Sequence, residues 1–105
     1  MPIKFRVRIS ETAESDFVEA WGFISADSPD SAVNFLLQLE KAVSTLETLP
    51  ARCPLIFENG LMGTQYRHLI FGEYRTVFRV AGGKVYVLRI IHSARLLDTS
   101  YIEDE

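Results

Sequence analysis

The sequence predicts an α+β fold in the order β-α-α-β-β-β, an antiparallel-rich four-stranded sheet with an N-terminal helical hairpin packed on one face. Three observations predict it. Lys4 to Ile9 alternates charged and apolar residues, the period of two of a half-buried strand. From Ala13 to Leu49 the apolar residues recur at steps of three and four, the period of helices with one buried face. From Thr64 to His92, three runs rich in β-branched and aromatic residues are separated by short Gly-containing breaks. The 105 residues, 48% apolar and 24% charged, suffice for one hydrophobic core and not for two. Residues 1–105 are therefore expected to form a single domain, with residues 97–105 as an acidic tail.

The first strand places Phe5, Val7 and Ile9 on one side and Lys4, Arg6 and Arg8 on the other. Ser10 then offers a hydroxyl as an N-cap, and Glu11 and Glu14 lie in the first turn, where the helix dipole favours negative charge. The first helix carries the stripe Ala13, Phe17, Ala20, Trp21 and Ile24, which puts Trp21 in the core. "ADSPDS" breaks it, with Asp27 or Ser28 as the next cap and Pro29 in the first turn, where a missing N–H costs nothing. The second helix reads Ala32, Phe35, Leu39, Ala42, Leu46 and Leu49, widened by Leu36 and Val43, up to Pro50. Residues 51–63 lack a period and contain Pro54, Gly60 and Gly63, so they read as loop. Strands are expected at Thr64–Phe71, Tyr74–Val80 and Lys84–His92, joined by Gly72-Glu73 and by Ala81-Gly82-Gly83, whose glycines supply the positive φ of a tight turn.

Charge is segregated by element. Between Glu11 and Glu47 stand eight acids and one base, Lys41, whereas nine of the eleven bases lie in the strands or beside them. Alternation puts Arg75 and Arg79 on one face and Tyr74, Thr76, Phe78 and Val80 on the other, and groups Val85, Val87, Arg89 and Ile91. With both helices on one side, Arg6, Arg8, Arg75, Arg79, and with them Arg67 and Arg89, are expected to form a basic face on the uncovered side. The plainer alternative is that each arginine is an outward, solubilising residue paired with helix carboxylates. A net charge of −3 argues against strong nonspecific nucleic-acid binding. Cys53, the single cysteine, excludes an internal disulfide and a cysteine-rich zinc site and fits a reducing cytoplasm. The start "MPIKFRVRIS" lacks the apolar run of a signal peptide, and no stretch reaches the roughly 20 apolar residues of a membrane helix. No nucleotide-binding, metalloprotease or serine-hydrolase motif is present, and neither metal nor cofactor is expected. His68 and His92 are suited to acid–base work by their near-neutral pKa, or serve as ordinary surface and strand-end residues.

Several pieces in this order, "SETAESDFVEAWGFI" with Ala13 and Asp16-Phe17, Arg67 to Arg75 as R-x-L-x-x-G-x-Y-R, and "VYVLRIIHSAR", resemble the RelE/ParE superfamily of bacterial type II toxin–antitoxin toxins, the plasmid stabilisation family. The resemblance implies one of two activities. RelE-like members are ribosome-dependent mRNA endoribonucleases; in that case Arg67, Arg75, Arg79 and Arg89 would stabilise developing charge and His92 would act as acid or base. ParE-like members are not enzymes of this kind and poison DNA gyrase. With a pI near 5.4 and three lysines, the chain has little phosphate-driven affinity for RNA or the ribosome, which favours the ParE-like reading. An inactive antitoxin-binding relative is the third reading. All three imply a cytoplasmic protein that forms an oligomer with a cognate antitoxin. For target or antitoxin binding, the expected residues are Arg6, Arg8, Arg75, Arg79, Arg89, His92 and Arg95, with the strand "VYVLRII" accepting an added strand at a sheet edge. The acidic tail is expected to lie over part of the basic face.

Overall fold

The computed structural model describes residues 4–97. In chain order they form β1 (Arg6–Ile9), α1 (Glu11–Asp27), α2 (Pro29–Thr45), a 3-10 turn (Pro50–Arg52), α3 (Asn59–Met62), β2 (Arg67–Phe71), β3 (Tyr74–Ala81) and β4 (Lys84–His92). The sheet order is β1-β4-β3-β2, with β1 parallel to β4 and the other pairs antiparallel. The parallel pair follows from the connection: the chain crosses over through the helical hairpin and a loop before it reaches β2, on the far edge. The fold is the expected α+β arrangement.

Local chemistry explains the boundaries. Ser10 caps α1 by accepting from Ala13 N at 3.1 Å, and Ser28 caps α2 by accepting from Ser31 N at 3.2 Å, so Ser28 rather than Asp27 serves there. Ser28 is also the C-cap of α1, which makes the hairpin break one residue long. Between β3 and β4, Gly82 (φ 57°) and Gly83 (φ 75°) form the two-residue turn that demands positive φ at both positions. The second helix ends sooner than its stripe suggests. α2 stops at Thr45, and Leu49 is exposed at φ 48°, a left-handed conformation unusual for leucine. The segment read as loop contains the one-turn α3, too short to show a period, and β2 begins at Arg67 rather than Thr64.

One core lies between helices and sheet: Ala13, Ala20, Phe35, Leu39 and Ala42 from the hairpin meet Phe71, Phe78, Val85, Val87 and Ile90. Trp21 is half-buried at its rim, 6.0 Å from the Phe17 ring. The other side of the sheet is not uncovered, as the sequence suggested. A second cluster, Ile56, Val77, Ile91 and Leu97 with Met62 and Tyr66, shows the 53–66 segment and the end of the described chain folded over part of it.

The strict alternation along β4 also fails. Val77 pairs with Arg89 but Phe78 pairs with Val87, so Leu88 is an extra residue, a β-bulge. Parity changes there: Val85, Val87 and Ile90 join the helix-side core, while Ile91 joins the second cluster. The grouping of Val85, Val87, Arg89 and Ile91 on one face is thereby corrected. Nor is "VYVLRII" a sheet edge. β4 is internal, held by β3 throughout and by β1 from Lys84 to Val87.

Candidate functional site

The arginines expected to share one surface divide into three environments. Arg75, on β3, is buried and makes a forked ion pair with Glu58, itself buried in the covering loop. Its Nη2 also donates to Arg95 O at 2.7 Å, and its Nη1 meets His68 Nδ1 at 3.2 Å. Glu58 Oε2 accepts from Leu97 N at 2.8 Å. Arg75 is therefore a clamp that ties two coil segments to the sheet. A guanidinium only donates, so His68 Nδ1 accepts, and the ring is the neutral tautomer with its proton on Nε2. Burial first, and then the Arg75 charge, push the His68 pKa down. Glu58 is held down to about 2, chiefly by its hydrogen bonds from Arg75 and with help from Leu97 N–H, against the opposing effect of burial.

Arg89 turns to the helices. Its Nε and Nη2 donate to Asp16 at 2.7 and 3.0 Å, and Asp16 Oδ2 accepts a further bond from Ile90 N at 2.9 Å. Asp16 thus does for β4 beyond Val87 what a neighbouring strand does before it. Ser10 helps, since its Oγ donates to Leu88 O at 3.1 Å. The Ala13, Asp16 and Phe17 pieces of the first-helix motif each have a physical role: a fully buried small contact, an edge cap, and a ring stacked 5.6 Å from Phe35. Arg67 is spent as well. Its Nη1 donates to Cys53 O at 2.6 Å. Cys53 itself is buried, and desolvation pushes its thiol pKa up despite Arg52 and Arg67, which is not the setting of a nucleophile.

What stays on the accessible sheet surface is narrower. Arg6 and Arg8 are exposed on β1, opposite Lys84 and Tyr86 of β4, and Arg79 of β3 lies opposite Tyr86 with its guanidinium 4.1 Å from the ring centroid. This makes a stripe across three strands at the Gly82-Gly83 end of the sheet. His92 and Arg95 sit apart from it, both exposed, in a shallow depression of about 230 Å³ shared with Asp16, Glu19, Phe23 and Tyr74. The His92 ring packs edge-on to Tyr74, and its Nδ1 accepts from Ala94 N at 3.2 Å. The structure therefore does not gather Arg67, Arg75, Arg79, Arg89 and His92 around a common point. Among the described residues no cluster of His, Cys, Asp and Glu could hold a metal ion, and no helix is long and apolar enough to cross a membrane.

A feature invisible in the strands lies on the helical layer. A groove of about 620 Å³ runs between α1 and α2, floored by Ala13, Phe17, Leu39 and Ile90, with Val18 on its lip and Glu14, Glu40 and Glu47 along its rim. Its sequence signals were Leu36 and Val43, which widen the apolar face of α2, and the exposed Val18, an apolar residue on the polar side of a helix stripe.

The element order and this one-sided helical hairpin define a class of small α+β protein. A solved structure described as "Chromosomal ParDE TA system from P. aeruginosa" is similar, with a TM-score of 0.67 over 85% of this chain and 96% of that chain at 17% identity, a likeness of fold. No curated protein matches the chain. The family model described as the ParE toxin of the type II toxin–antitoxin system, parDE, matches residues 7–97, and the chain belongs to that family.

Proposed function

We propose that this ParE-family toxin acts by binding a protein target, DNA gyrase, and is neutralised when a cognate antitoxin of the ParD kind binds it. One observation carries the reading against RNA cleavage: of the four arginines that a sheet-face ribonuclease would aim at a phosphate, three are consumed by the fold, and the fourth, Arg79, stands apart from His92. Arg75 is committed to Glu58, Arg89 to Asp16 and Arg67 to Cys53 O, and His68 is neutral with its Nδ1 engaged. Cleavage by a 2′-hydroxyl needs a base, an acid and cationic stabilisation around one phosphate. His92 is far from supplying these alone. The exposed residues at the end of β4, His92 and Arg95, are the better candidates for target contact.

The antitoxin fits the groove between α1 and α2. An apolar floor with three glutamates on its rim suits an amphipathic helix whose apolar face is flanked by Lys or Arg. Expression without antitoxin is expected to arrest growth, and the purified toxin to inhibit gyrase supercoiling while leaving translated messages intact. His92→Ala with Arg95→Ala is expected to relieve the inhibition with antitoxin binding unchanged. Rapid message loss with normal supercoiling would instead establish the ribonuclease, and no growth effect at all would establish an inactive relative.

A further inference from the structure

We propose that the basic stripe of Arg6, Arg8, Arg79 and Lys84 around Tyr86 is the docking surface for this chain's own acidic segment, residues 98–105. Those residues lie outside the described part of the structure, which stops at Leu97 beside the stripe. β1, β3 and β4 contain neither Asp nor Glu, and their register nevertheless sets Arg6 opposite Lys84 and brackets Tyr86 between Arg8 and Arg79. Cations gathered this closely raise the local potential and favour an anionic cover.

The chain is delivered to that surface. Arg95 O and Leu97 N are both fastened to the Arg75–Glu58 pair, and the Leu97 side chain is buried against Val77 and Ile91. Arg79 is two residues beyond Val77 on the same face of β3, about 7 Å along the strand, and Arg8 lies two strands across, about 10 Å. Eight further residues reach up to about 27 Å when extended, so the whole stripe is within range. Asp98, Glu103, Asp104 and Glu105 supply four carboxylates and the segment holds no base. Tethering gives such a segment an effective concentration on the order of millimolar, enough for weak ionic contacts to be populated. Any acidic partner that uses the stripe must then displace it.

The test keeps the chain at full length. A fluorescent octaglutamate peptide is titrated against the natural chain and against the variant carrying Asp98→Asn, Glu103→Gln, Asp104→Asn and Glu105→Gln. The neutralised variant is expected to bind the peptide about tenfold more tightly at low salt, the difference vanishing near 1 M NaCl, where screening extends only about 3 Å. Amide resonances of Arg8, Arg79, Lys84 and Tyr86 are expected to shift between the two chains. Equal peptide affinity, or shifts confined to residues 95–105, would overturn the proposal. So would a single-stranded oligonucleotide that binds both chains equally and tightly, since the stripe would then be open in the natural chain and suited to nucleic acid.

Discussion

Replacing Glu58 by alanine leaves the Arg75 guanidinium buried with no carboxylate, and breaking a buried pair in this way typically costs about 3–5 kcal/mol. Urea unfolding of Glu58→Ala should show that loss. An Arg75→Ala variant would suffer likewise, so a loss of toxicity there reports folding rather than chemistry. The same pair sets the acid limit of the fold. The Glu58 carboxyl is held from 4.5 down to about 2, so its contribution is complete above pH 4.5 and is lost as pH falls towards 2. That contribution is on the order of 3 kcal/mol. His68, whose pKa is lowered in the fold, adds a loss of the same sign, beginning as pH falls below about 6.5, where the unfolded chain binds the proton more readily. Stability measured from pH 7 to pH 2 should therefore fall in two limbs, the upper one absent in His68→Gln and the lower one in Glu58→Gln. Thr76 works in the opposite direction. Its hydroxyl is fully buried with no hydrogen-bond partner among the described residues, and Thr76→Val should raise stability by about 1 kcal/mol. The sequence placed Arg75 on the correct face of β3 but not in its pair, because Glu58 belongs to an aperiodic loop and no periodicity links it to a residue 17 positions away.

At the scale of elements, alternation and helical period recovered the strands, the hairpin and both caps, and they failed where the chain departs from a repeat. The bulge at Leu88 contains neither Gly nor Pro to announce it, yet one extra residue is enough to exchange the faces of everything after it. Arg89, expected on the uncovered face, instead reaches Asp16 of α1, which only its place in the first-helix motif marked. Asp16 closes the β4 edge left open where β1 ends at Ile9, a device that keeps a peptide N–H satisfied without a fifth strand. Asp16→Ala should cost about 3 kcal/mol, since it strands the buried Arg89. The cost should appear locally first. Amide exchange at Ile90 is expected to accelerate by more than exchange at Val85, which β1 still covers.

For the whole molecule, the −3 net charge conceals two poles on opposite sides: an acidic helical layer enclosing an apolar groove, and a basic stripe across the sheet. A partner that engages both must present basic flanks to one and acidic residues to the other, and the two contacts are separable by mutation. Val18 is the place to separate them. It stands on the groove lip at 67% exposure, so Val18→Glu removes no core packing and should change stability by no more than about 0.5 kcal/mol. The new carboxylate would nevertheless lie beside Glu14 and against the apolar face of any docked helix, where it must either be desolvated or hold the helix away. Antitoxin affinity should fall by at least tenfold, about 1.4 kcal/mol, and adding salt should recover little of it, because desolvation is not screened. Arg8→Glu, on the stripe, should instead give a loss that depends strongly on ionic strength. If Val18→Glu binds antitoxin as the natural chain does while Arg8→Glu does not, the helical groove is not the antitoxin's seat and the sheet carries the contact.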